Sequence, residues 1–206
     1  MAAVMRKIGE PPAEAAVQAD SDAEIIRLSA QEPERFAQIF DRHYAEIHGY
    51  VARRLGSGLA DDVAAETFLI AFDRRDRYDA AYPIARPWLY GIASNLVFRH
   101  HRTEIRQYRA LARTGADDVA DGHAEQIERR VDAQSVRGAL AAALAAIAPA
   151  DRDVLLLVAW AGLSGEEAAR ALGVPAGTVR SRLHRARKKV RAALGNAYPL
   201  ADGEDS

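Results

Sequence analysis

The sequence predicts an all-α protein of two helical domains joined by a flexible acidic linker, and three observations carry that expectation. Apolar residues make up 49% of the 206 positions, enough for a core that needs no disulfide or metal. Ala and Leu dominate them while aromatics supply only 7%, a balance that favours helices over strands. Apolar positions recur three and four apart along most of the chain, and no segment sustains the alternation of a strand.

Taken in order, residues 1–32 hold Pro11-Pro12, scattered acids and weak periodicity. They read as a mostly disordered lead-in ending in a short helical stretch around Ile25 to Leu28. Met1 to Asp20 lacks the apolar core of a signal peptide. Phe36, Ile39, Phe40, Ile47, Tyr50, Val51 and Leu55 then recur at helical spacing, and Gly56 offers a stop. Asp61 or Asp62 can cap a second helix through Phe72, with Val63, Phe68 and Phe72 on one side. Pro83 and Pro87 punctuate a loop; Pro87 sits where a helix welcomes proline, ahead of the stripe Leu89, Ile92, Ala93 and Leu96. Between about 112 and 126, Asp117, Asp118, Asp121 and Glu125 with Gly115 and Gly122 mark the linker. A second block starts near Val131: Leu140, Leu144 and Ile147 form one helical run that Pro149 breaks, and Asp151 to Ala161 is a compact buried helix stopped by Gly162.

A net charge of −1 argues against a simple nucleic-acid binder, but from Pro175 to Arg191 there are seven Lys/Arg and no acid. The stretch Leu163 to Arg191, LSGEEAARALGVPAGTVRSRLHRARKKVR, has the parts of a helix-turn-helix. Ser164 and Glu167 make a capping box, Leu163 can staple on Ala168, and Gly173 permits a sharp turn. The second helix keeps Val179, Leu183, Ala186 and Val190 on one side and is polar elsewhere. Such a helix enters a major groove. Arg180, Ser181, His184 and Arg185 are placed for base edges, and Arg182, Arg187 and Lys188 for phosphates. A solvated basic face on an ordinary helical hairpin is the plain alternative.

Other classes fit poorly. There is no cysteine, so thiolate zinc sites and cysteine nucleophiles are excluded, which suits a cytoplasmic protein. His43 and His48 are five apart, off the i, i+4 face that binds zinc, and His100-His101 lack a carboxylate at suitable spacing. No phosphate-binding glycine loop, serine elbow or paired carboxylates occur, so neither an enzyme, a cofactor nor a metal is expected. No apolar run approaches the roughly 20 residues that span a bilayer.

Three segments in order carry a family resemblance: DDVAAETFLIAFDRR (Asp61 to Arg75), RPWLYGIASNLVFRHHR (Arg86 to Arg102) and GTVRSRLHRAR (Gly177 to Arg187). Over residues 33–195 the chain resembles the extracytoplasmic-function (ECF) sigma factors of the sigma-70 family. The resemblance implies region 2 at 33–104, a linker at 105–133, region 4 at 134–195 and a tail at 196–206. Region 2 would bind core RNA polymerase and the −10 element, and region 4 the −35 element and the polymerase flap. Asp62, Glu66, Thr67 and Phe68 would dock on the polymerase clamp helices, with Leu69 and Phe72 partly core. Ala65 stands where many relatives have Gln. Asn95 would help hold a flipped-out base of the melted −10 element, in a pocket walled by the loop Tyr82 to Arg86. Trp88 and Tyr90 would stack on bases, although Trp88 fits a core position equally well. Arg99, His100, Arg102 and Arg106 would track the duplex upstream. In the family the linker threads toward the active-site and RNA-exit channels, which Asp117, Asp118 and Asp121 suit, though a soluble spacer explains each acid as well. The partners implied are core RNA polymerase, promoter DNA and, for many family members, an anti-sigma factor, with no membrane insertion. A stand-alone helix-turn-helix regulator with residues 33–104 as sensor or dimerisation domain is the competing reading; the Asp61 to Phe72 block has no reason to exist in it.

Overall fold

The structure, a computed structural model, describes residues 20–117 and 124–195, the side chains of 114–133 excepted. Its helices are α1 (Asp22–Leu28), α2 (Ala37–Leu55), α3 (Ser57–Asp73), α4 (Arg86–Arg99), α5 (His101–Asp117), α6 (Ala124–Ala146), α7 (Pro149–Ala159), α8 (Gly165–Leu172) and α9 (Ala176–Leu194). Among the described residues there is no strand, so the all-α expectation holds.

Local chemistry explains most boundaries. Gly56 ends α2 at φ 86°, a left-handed backbone that a side chain resists, and its N–H closes on the Ala52 carbonyl. The same glycine turns the chain so sharply that α3 restarts at Ser57, without the cap expected from Asp61 or Asp62. Pro87 lies in the first turn of α4. At α8 both halves of the capping box form: Ser164 N–H donates to Glu167 at 2.8 Å and Glu167 N–H to Ser164 Oγ at 3.2 Å. Gly173 then adopts the left-handed conformation (φ 63°) that separates α8 from α9.

The linker is shorter than expected. α5 runs to Asp117 and α6 begins at Ala124, so most of 105–133 is helix rather than loop. The reason is packing: α5 lies along α6. Asp118 and Asp121 lie outside the described residues, as do residues 1–19 of the expected lead-in and 196–206 of the tail.

The two blocks are packed on one another, which no spacing in the sequence announced. One contact is steric. α8 crosses α4 at Gly91 so closely that a Cβ there would lie 2.3 Å from the Ala171 carbonyl oxygen. The other is ionic. Arg54 of α2, 1% exposed, donates through Nε to Glu104 of α5 (2.6 Å) and through a terminal nitrogen to Asp153 of α7 (2.6 Å). Arg152 of α7 reaches back to the other oxygen of Glu104 at 2.8 Å and donates to the Leu144 and Ile147 carbonyls. Two cations and two anions are thus buried together where the blocks meet.

Removing one member of such a set strands its partners in a dry site, typically at a cost of about 3–5 kcal/mol. Arg54→Ala is therefore expected to lower the unfolding free energy measured by urea titration by that order; a loss below about 1 kcal/mol would mean water enters the cluster freely.

Candidate nucleic-acid interface

α9 buries Val179, Ala186 and Val190, with Leu183 half-buried, and so turns its polar side outward. Arg180, Ser181, His184, Arg185 and Lys188 are exposed and Arg182 and Arg187 half-buried. They form one basic face that the packing of the blocks leaves open. Two members have intramolecular partners. Ser181 donates to the Thr178 carbonyl at 3.0 Å. Arg185, expected at a base edge, instead forks onto both oxygens of Asp151 at the start of α7 (3.0 and 2.7 Å), and that hydrogen-bonded pairing raises its pKa. No periodicity pairs residues 34 apart, so Asp151 was not legible as a partner.

On α4, Asn95 and Arg99 are exposed; His100, which ends it, is half-buried, and Arg102 in the first turn of α5 is exposed. Trp88 has the core packing that was one of the two roles weighed for it. It also lines a cavity of about 300 Å³ with Tyr78, Tyr82, Ile84 and Pro87, its ring 5.0 Å from that of Tyr78. Tyr90 departs from expectation: it is buried with its ring edge-on to Tyr50 (5.1 Å, 87°), so it offers no face to a base in this conformation. Its position one residue past Leu89 turns it toward α2. Arg106, like Arg102, is exposed.

The loop before α4 is tied at several points. Tyr78 donates to the Tyr82 carbonyl at 2.6 Å, and the guanidinium of Arg170, from α8, lies 4.2 Å from the Tyr82 ring centroid. Ala85 N–H donates to Asp22 at 2.9 Å, and Asp22 also bonds His43 Nε2 at 2.8 Å. His43 Nδ1 meets Glu46 at 2.7 Å, and Glu46 in turn accepts from Arg86 at 2.6 Å. Arg86 completes the series by donating to the Ala161 carbonyl of the second block. Burial opposes a charge on His43, but hydrogen bonds to the carboxylates of Asp22 and Glu46 outweigh it and push its pKa up to about 9.

On α3 two of the residues expected to dock are turned inward. Thr67 is 0% exposed, its hydroxyl spent on the Val63 carbonyl, and Phe68 is buried with its ring centroid 5.0 Å from that of Phe40. Neither can touch a partner from there. Leu69, expected partly in the core, is 60% exposed, beside exposed Asp62 and Ala65. Residues 62, 65, 66 and 69 share one side of a helix while 63, 64, 67, 68 and 71 share the other, so the i, i+4 rule would have separated them. Glu66 lies at the edge, 3.3 Å from Arg99. Phe72 is half-buried, as expected.

An exposed basic helix after a capped short helix, and a first block of five helices, α1 to α5, bearing an aromatic-lined loop, define a two-part DNA-binding protein. Comparison with known proteins makes the class definite. The family description "Sigma-70 region 2" matches residues 39–107 and "Sigma-70, region 4" matches 137–190. The RNA polymerase sigma factor NccH of Alcaligenes xylosoxydans xylosoxydans is 31% identical over 84% of this chain and 94% of its own. The ECF RNA polymerase sigma factor SigC of Mycobacterium tuberculosis is 36% identical over 75% of this chain and 78% of its own. A solved structure of CnrH in complex with the cytosolic domain of CnrY superposes with a TM-score of 0.60 at 26% identity, covering 85% of this chain and 97% of that one. The chain belongs to the ECF group of sigma-70 RNA polymerase sigma factors, proteins of transcription initiation.

Because Asp151 neutralises one cation of the basic face, Asp151→Ala is expected to tighten binding to random-sequence duplex DNA severalfold at low salt. The slope of log K against log salt should steepen by about 0.9, one further phosphate contact. Unchanged binding would mean that Arg185 does not reach DNA.

Proposed function

We propose that this chain binds core RNA polymerase through the outer face of α3 and directs it to promoters with two readers. Region 4 reads the −35 element, with Arg180, Ser181, His184 and Arg185 at base edges in the major groove and Arg182, Arg187 and Lys188 on phosphates. Region 2 captures a flipped base of the melted −10 element between Asn95, Trp88 and the loop before α4, with Arg99, His100 and Arg102 on the backbone. Tyr90 can join only if its packing on Tyr50 changes. Asp62, Glu66 and Leu69 are the docking residues on α3.

The observation that carries this reading is the open basic face of α9 in a chain whose blocks are otherwise closed on each other. Geometry supplies the mechanism. A compact chain of this length has a radius of gyration of about 17 Å, hence a diameter near 45 Å. Elements centred 25 base pairs apart lie about 85 Å from each other along B-form DNA, at 3.4 Å per pair. The closed protein cannot touch both at once, so the blocks must separate on the polymerase. Holding two weak readers at a fixed span then gives avidity that neither has alone. CnrH was solved with the cytosolic domain of CnrY; an anti-sigma partner of that kind suits a protein whose free form is already closed.

Run-off transcription with purified core polymerase tests the assignment. Alanine at Arg180 or Asn95 should each cost about 1–3 kcal/mol of promoter discrimination, at the −35 and −10 elements respectively. Full specific transcription by the Arg180, Arg185 and Asn95 triple variant would overturn the assignment. Tight promoter binding without polymerase would favour a stand-alone regulator instead.

A further inference from the structure

α1 is the element that promoter reading leaves unused. It precedes residues 39–107, the extent of the region 2 match. Its first residue, Asp22, is nonetheless buried and multiply bonded. One carboxylate oxygen accepts from Ala85 N–H (2.9 Å) and meets His43 Nε2 (2.8 Å); the other accepts from Arg42 (3.1 Å). Ala23 N–H adds a bond to the Pro83 carbonyl at 3.4 Å.

Ala85 is the residue before α4 and has no side chain with which to cap it. Asp22 does that work from another helix. A carboxylate accepting the N-cap N–H copies the second half of a capping box, and a negative charge there complements the helix dipole. α1 therefore grips both Pro83 and Ala85, the end of the loop that leads into α4.

Which ties outlast separation of the blocks decides what holds the loop when DNA binds. The stacking of Arg170 on Tyr82 and the bond from Arg86 to the Ala161 carbonyl both cross between blocks, so both are lost. The bonds among Asp22, Ala85, His43, Glu46 and Arg86 lie wholly within the first block and remain. We propose that Asp22 is a positioning residue for base selection at the −10 element, holding residues 83–86 in capture geometry through Ala85 and His43 once the blocks part. This rests on the base-capture reading of region 2.

Charge on His43 is part of the device. The groups that face this cluster are Asp22 from α1, Arg42 and Glu46 from α2, Tyr78 from the loop and Arg86 from α4. His43 titrates at about 9 when folded, above its ordinary 6.5. Its contribution is complete below pH 6.5 and is lost as pH rises through about 9. Tyr78, pushed up to about 12 by burial and by Asp22, stays neutral across that window.

The test is discrimination by reconstituted holoenzyme among single-base −10 variants of a promoter recovered from a random library, with −35 variants measured alongside. Asp22→Ala should flatten the −10 preference by about five- to tenfold and leave the −35 preference unchanged. Asp22→Asn keeps an acceptor for Ala85 and should fall between; it is the variant to read if the alanine protein folds poorly. In the wild type, −10 preference should decline between pH 8 and 9.5 while −35 preference holds. Retained −10 discrimination in both variants, or equal loss at both elements, overturns the proposal. If Asn95→Ala and Trp88→Ala also leave −10 preference intact, the base-capture reading fails and Asp22 falls with it; if they abolish it while the Asp22 variants do not, only Asp22 is wrong.

Discussion

The buried set of Arg54, Glu104, Arg152 and Asp153 is the constraint from which the arrangement of this protein follows. It is the point where α2 and α5 of the first block meet α7 of the second. Burial opposes charge on Arg54, yet Tyr50, Asp153 and Glu104 hold its pKa well above the usual range, while burial raises that of Asp153 despite Arg54 beside it. The hydrogen bonds are nearly complete; among the described residues, Arg152 Nε is the one buried side-chain nitrogen or oxygen without a partner. Such a cluster adds little net stability against separated, hydrated ions, but it penalises any half-broken arrangement heavily. It therefore favours two states, fully docked or fully apart, over a range between them.

That property suits the proposal that the two blocks are closed in the free chain and part on promoter DNA. Gly91 adds a geometric condition, since α8 approaches α4 there as no larger residue would permit. α9 turns outward from both contacts and keeps its basic face accessible, so closure hides the path between the readers more than the second reader itself.

Features governed by local rules were legible in the sequence. The capping box at Ser164, the left-handed turn at Gly173, the stop at Gly56 and the stripe of α9 each depend on residues a few positions apart, and each appears as expected. The contacts that the sequence did not reveal join distant residues. Arg185 finds Asp151, Tyr90 finds Tyr50, and Asp22 finds Ala85, pairs separated by 34, 40 and 63 positions that no periodicity connects. Thr67 and Phe68 are a different kind of miss. The resemblance pointed to α3 without saying which side of it is open; adjacent residues face opposite ways, and helical spacing alone would have exchanged them for Leu69. The linker was read from composition, which registers acids and glycines but not the packing of α5 along α6.

Separation of the blocks on polymerase is the central claim, and a distance measures it. The chain contains no cysteine, so Ala45→Cys on α2 and Ala193→Cys on α9, both at exposed positions, can carry a donor and acceptor dye. The account predicts a distance within about 45 Å in the free protein and beyond about 70 Å in the promoter-bound holoenzyme. A transcribing complex in which the short distance persists would contradict it.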